Sequence, residues 1–163
     1  PLLGWQRVWP ALLNMCREAG LINVTFETNG SKAVTPELIN YFNEEAKDLH
    51  VTWSTSPKLS ISGEVLEDTL IPEQLLTMNE VENSFLYNKF VVRDELCLPD
   101  VDTFVTAYKE AGVKIDSVFL MPEGATLEQQ TLTEKDVAEI CMKTGYKFSP
   151  RLHINLFGNA WGT

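Results

Sequence analysis

Apolar residues recur between positions 5 and 16 as Trp5, Val8, Trp9, Leu12, Leu13 and Cys16, the stripe of a helix with one face toward a core. Pro10 falls inside the stripe, where its missing N–H predicts a kink or a late helix start, and Gly20 supplies the stop. The run Leu21 to Phe26 is apolar and β-branched and gives way at once to Glu27-Thr28-Asn29-Gly30, which predicts a short buried strand ending in a turn. Thr35 offers an N-cap, Pro36 a first helical residue, and Leu38, Ile39 and Phe42 an apolar face for a helix ending near Lys47. His50 to Trp53 predicts a second strand, running into a long polar loop from Ser54 to Gly63.

Residues 64–86 carry no clear period, although Pro72 followed by Glu73 and Gln74 predicts a short helix among them. Tyr87 to Arg93 predicts a third strand, and Pro99 and Asp100 open a helix with Val101, Phe104, Val105 and Tyr108 on one face. Lys114 to Met121 predicts a fourth strand leading into the turn Pro122-Glu123-Gly124. Thr133 with Asp136 resembles a capping box and predicts a helix through Val137, Ile140 and Cys141 to Gly145. Leu152 to Phe157 predicts a last extended segment. Short buried strands alternating with helices predict an α/β fold in one domain, with a parallel sheet and right-handed crossovers.

The 163 residues, 44% of them hydrophobic, suffice for one packed core and exclude a disordered chain. Asp+Glu 23 against Lys+Arg 13 gives a formal net charge of -10 with no Lys/Arg run. That balance argues against direct nucleic-acid or membrane binding and for a small-molecule or protein partner. The sequence holds no long uncharged apolar run and no signal-peptide pattern, so a soluble cytoplasmic protein is expected. Cys16, Cys97 and Cys141 fit neither a disulfide framework nor a CxxC pair and read as reduced, mostly buried thiols. Pro1 is not a translation start, and the chain reads as cut from a longer one. Dinucleotide, P-loop and hydrolase-elbow motifs are absent, and His50 and His153 lie too far apart for a zinc motif.

Ligands of parallel α/β folds bind at the carboxyl ends of the strands. Three expected strand ends carry concentrated polar chemistry: Glu27 to Gly30, Ser54 to Lys58, and Met121 to Gly124. A carboxylate following a buried strand must be paired or face a cavity. Glu27 therefore either offers its two oxygens to adjacent N–H donors, such as the amino-pyrimidinone edge of a pterin or guanine, or forms a salt bridge to Lys32 or another local cation. Pro57 holds Ser56 extended and sets Lys58 to take a ligand carboxylate or ribose, unless Lys58 is simply an exposed loop lysine. His153, between Leu152 and Ile154, reads as hydrogen-bonded packing rather than as a catalytic base. Trp5, Trp9 and Trp53 read as core or interface residues, and Trp161 as a cover for a pocket or partner surface.

Taken in order, Pro1-Leu2-Leu3, Phe26 to Gly30, Ser56 to Ser60, Lys89-Phe90-Val91-Val92, Leu120 to Gly124 and Pro150-Arg151-Leu152-His153 closely resemble the 7-carboxy-7-deazaguanine synthase family of radical S-adenosylmethionine enzymes. The likeness spans the chain apart from residues 64–86, and its specificity lies in the joint occurrence of ETNG, SPKLS, MPEG and PRLH. It implies a partial (β/α)6 barrel. Family members bind a [4Fe–4S] cluster through an N-terminal CxxxCxxC loop and meet the cofactor's amine with a GGEP motif. This sequence has no CxxxCxxC and starts at what resembles the Pro of GGEP. The resemblance thus implies the C-terminal two-thirds of such an enzyme, with cluster cysteines and magnesium ligand upstream of Pro1 and no catalytic or metal residue in this part.

The implied reaction of the intact enzyme starts with reduction of S-adenosylmethionine to a 5′-deoxyadenosyl radical, which abstracts hydrogen from C6 of 6-carboxy-5,6,7,8-tetrahydropterin. Magnesium-dependent ring contraction with loss of ammonia then feeds queuosine and other 7-deazapurines. By resemblance Ser56, Pro57 and Lys58 hold S-adenosylmethionine, Met121, Pro122, Glu123 and Gly124 lie along its adenosine, and Glu27, His153 and the C-terminal Thr163 meet the pterin. Asn29 has a purely structural reading in its turn. A flavodoxin-type or other electron donor and a homodimer are further implications, and this part alone is expected to be inactive. Two other readings are a different radical S-adenosylmethionine lyase or activase, and a cluster-less α/β binding module.

Overall fold

The computed structural model describes residues 2–158. Five strands, β1 (Asn23–Thr28), β2 (His50–Thr55), β3 (Ser84–Val92), β4 (Ser117–Pro122) and β5 (Lys147–Phe148), form one parallel sheet in the order in which the chain makes them. Parallel neighbours need crossovers. These run through α2 (Pro36–Asn40), continued by a π-helical segment Tyr41–Glu45, then α3 (Leu66–Thr69) with α4 (Pro72–Asn79), α5 (Leu98–Glu110) and α6 (Leu127–Thr144). The helix α1 (Trp9–Glu18) precedes the sheet and α7 (Leu152–Phe157) follows it. A sequential order with crossovers of one hand stacks the helices on one face, unlike a doubly wound sheet. No helix among the described residues is long and apolar enough to cross a membrane.

The burial pattern agrees with one covered face. Phe26, Trp53, Leu86, Phe90 and Leu120 point to the helices and are almost wholly buried. Phe26 stacks on Trp53 at 5.0 Å, and Trp9 of α1 closes edge-on over Phe26 at 5.3 Å. Each such side chain contributes about 1.5–3 kcal/mol by leaving water. The alternate residues form the open face in rows set by the register. Glu27, Ser54, Tyr87 and Ser117 make one row, Lys89, Phe119 and Lys147 the next toward the carboxyl edge, and Val91 and Met121 the last. Tyr87 packs on Phe119 at 5.2 Å, giving this face an aromatic floor.

Several expectations hold. Pro10 occupies the first turn of α1 after a 3₁₀ turn Gln6–Val8, so the helix starts late without a kink. Thr35 caps α2 with Pro36 at its first position, and the helix expected at Pro72 is α4. Cys97 and Cys141 are buried free thiols and Cys16 is half-buried. Other expectations are corrected: β2 takes in Ser54 and Thr55 of the expected loop, and β3 starts at Ser84, before Tyr87. The first strand runs Asn23–Thr28, not Leu21 to Phe26, because pairing with β2 continues to Thr28 opposite Thr55. Glu27 is therefore a strand residue, and its polarity is accommodated because it points to the open face. Thr133 does not start a helix: α6 is one helix, capped by Thr126, whose hydroxyl accepts from Gln129 N at 3.3 Å.

The segment Leu152 to Phe157 is not extended but is the helix α7. Its alternation of Leu152, Ile154 and Leu156 imitates a strand, yet only Ile154 is buried. Pro150 follows the short β5, and Gly158 caps α7 at φ 64. Trp53 is core as expected, whereas Trp5 is exposed. Pro1, Trp161 and Thr163 lie outside the described residues.

Candidate functional site

Past the end of β1 the backbone turns on Asn29, whose Oδ1 accepts from Ser31 N at 3.1 Å, and on Gly30 at φ 79. A Cβ on Gly30 would lie 3.1 Å from Leu75 Cδ1, so this turn packs directly on α4. The Asn29 side chain thus shapes the loop. Its neighbour Glu27 reaches Lys89 Nζ on β3 at 3.3 Å across the intervening β2. Lys89 is the more enclosed partner, 19% exposed against 74% for Glu27. The expected cation partner is present, but it comes from a strand two places away and not from the neighbouring Lys32.

After β2 the chain is pinned on both sides of Lys58. Leu59 is buried, Thr69 Oγ1 of α3 donates to Lys58 O at 2.9 Å, and Ser60 N donates to Asp100 Oδ2 at 3.0 Å. One bond comes from residues 64–86, the part without sequence pattern, and it fixes the backbone from which the Lys58 ammonium extends. Beyond β4, Glu123 N donates to Val92 O at 2.9 Å and Thr133 Oγ1 to Glu123 O at 2.8 Å. Gly124 sits at φ 143, where a Cβ would come within 2.8 Å of Gln130 N. Only glycine fits there without displacing the start of α6.

These segments converge on a cavity of about 750 Å³ at the carboxyl edge of the sheet. Glu27, Ser56, Lys58, Met121 and His153, all expected as site residues from separate motifs, line it together. Pro57 lines an adjoining cavity of about 220 Å³, and Glu123 and Gly124 one of about 610 Å³. Pro122 lines none of the three, being the last residue of β4. His153 enters the wall from α7 and is exposed, so the packing reading of this residue falls away.

Among the other lining residues, three stood within quoted segments without a role of their own. Ser54 is buried and its Oγ has no hydrogen-bond partner among the described residues. Lys89 stands beside the buried Phe90, and strand parity alone places it on the open face. Arg151, inside the PRLH motif, borders all three cavities. The wall of the large cavity thus holds three cations, Lys58, Lys89 and Arg151, against one carboxylate, Glu27. That sign is opposite to the net charge of -10 and favours an anionic or carboxylate-bearing ligand. Among the described residues no group of three His, Cys, Asp or Glu could hold a metal ion.

No protein-family model and no solved structure matches the chain. Among curated proteins it is 32% identical over 162 residues, 99% of its length, to the 7-carboxy-7-deazaguanine synthase of Pyrobaculum aerophilum. The chain is similar to the 7-carboxy-7-deazaguanine synthases. It spans 64% of that archaeal relative. The synthases of Halobacterium salinarum and Rhodopirellula baltica are each 33% identical over 75 residues, 44% and 46% of this chain and 29% and 28% of their own lengths.

Proposed function

We propose that this chain is the cofactor- and substrate-binding part of a 7-carboxy-7-deazaguanine synthase, one incomplete core domain of a partial (β/α)6 barrel of the radical S-adenosylmethionine type. The observation that carries the reading is the cavity of about 750 Å³ at the strand ends, where motifs far apart in sequence place Glu27, Ser56, Lys58, Met121 and His153 around one space. Similarity to the Pyrobaculum synthase over 99% of this chain supports it. The reaction is the ring contraction of 6-carboxytetrahydropterin with loss of ammonia, on the way to 7-deazapurines.

The cavity suits S-adenosylmethionine in its donor set. Lys58 supplies a pinned ammonium, Ser56 a hydroxyl, Ser54 an unpaired buried hydroxyl, and Met121 an apolar wall. S-adenosylmethionine, when bound with a reduced cluster, supplies the radical that starts the reaction. The described residues do not fit a cluster: Cys16, Cys97 and Cys141 stand on α1, the turn before α5, and α6, so its ligands must come from elsewhere. Magnesium likewise has no cage of His, Cys, Asp or Glu here. Glu27 accepts from two adjacent N–H groups of the pterin while Lys89 orients its carboxylate.

The test is formation of 7-carboxy-7-deazaguanine from 6-carboxytetrahydropterin by the full-length reconstituted protein, with and without Glu27→Gln. Product from the wild type is expected, with roughly a tenfold or greater rise in pterin KM for the variant. Absence of product, or an unchanged KM, contradicts the reading and favours a different lyase, an activase or a binding module.

A further inference from the structure

Arg151 is the residue at this edge whose chemistry is least used by the fold. It is half-buried, and with Val91 it forms the partition between the three cavities. Its Nη1 donates to Gly124 O at 3.1 Å, which aims the guanidinium and ties the loop after β4 to the segment before α7. Guanidinium has five N–H donors in a planar fork. The remaining four have no hydrogen-bond or ion-pair partner among the described residues. Glu123 and Asp136 line a neighbouring cavity with Arg151, yet neither pairs with it. A half-buried cation left without a carboxylate in an acidic protein is a costly arrangement unless a ligand completes it.

We infer that Arg151 is a specificity-determining residue, a fork that recognises a carboxylate of the bound ligand while Gly124 O holds it in place. The inference rests on the functional reading above. Lys58 and Lys89 add positive potential on the same side, but each is a point charge, and Lys89 is already engaged with Glu27. A planar, pre-aimed fork is the group that tells a carboxylate from other polar ends. Two ligands of the proposed reaction bear one: the methionyl end of S-adenosylmethionine and the 6-carboxyl of the pterin.

The experiment measures dissociation constants by calorimetry on the full-length protein for four compounds: S-adenosylmethionine, its decarboxylated form, 6-carboxytetrahydropterin and tetrahydropterin without the carboxyl group. Arg151→Lys keeps one donor for Gly124 O but loses the fork. The expected result is a roughly ten- to hundredfold weakening for one carboxylate-bearing ligand, with its decarboxylated partner unchanged. The arm that responds identifies the source of the carboxylate. Arg151→Met removes the cation and is expected to move the same arm further, and Arg151→Lys alone suffices should Arg151→Met fail to fold. Equal weakening of a ligand and its decarboxylated form, or no change in either arm, overturns the inference and leaves the functional reading standing. Failure of the wild type to bind any of the four overturns both.

Discussion

At the scale of single residues, the pairing of Glu27 with Lys89 decides how the site is read. The carboxylate is exposed and its partner enclosed, so the pair contributes little to stability and much to the direction in which Glu27 points. Lys89→Met is expected to leave thermal unfolding unchanged within about 0.5 kcal/mol while weakening pterin binding several-fold. Equal losses of both would make the pair structural. The thiols provide an independent check on packing. Burial pushes the Cys141 thiol above its ordinary pKa, so it stays protonated and unreactive well past neutrality, while Cys16 is half-buried. Alkylation of the native protein at pH 8 is expected to label Cys16 first, with Cys97 and Cys141 following only on unfolding. For Cys141 the raised value also means stability that is present below the thiol's unfolded pKa and lost as pH rises through the folded one. Glu27, Ser56, Lys58, Met121 and His153 were legible in the sequence because each belongs to a recognisable motif. The roles of Ser54 and Arg151 were not, since an orphaned hydroxyl and a partly free guanidinium are properties of surroundings that no linear pattern records.

Among the elements, the strands and the long helices were legible from period and caps, and the misreadings fall at element boundaries and in the last segment. Where tertiary contacts outweigh local pattern, the boundary moves: β1 runs two residues into a polar cluster because β2 pairs with it there. The helix α7 carries a strand-like alternation of which only Ile154 is buried. The loop after β4 shows the converse, a local demand that the sequence states outright. Gly124→Ala forces a Cβ onto the backbone of α6 at a φ that alanine avoids, costing roughly 1–3 kcal/mol in backbone conformation alone. Because Gly124 O also anchors Arg151, this substitution is expected to lower stability and cofactor affinity together. Chemical denaturation alongside a binding titration checks it, and a stability loss with unchanged affinity would separate the loop from the site.

For the whole molecule, sequential parallel winding explains why the site exists at all. It gathers the carboxyl ends of consecutive strands on one edge and leaves the helices on one face of the sheet, and on that edge an acidic chain places Lys58, Lys89 and Arg151. The central claim is that this edge is where S-adenosylmethionine and the pterin bind. Amide hydrogen exchange of the full-length protein, with and without both ligands, tests it most directly. The expected result is slowed exchange confined to residues 27–30, 54–60, 121–125 and 151–154, with α4 and the outer face of α5 unchanged. Protection elsewhere, or none at these strand ends under saturating ligand, would contradict it.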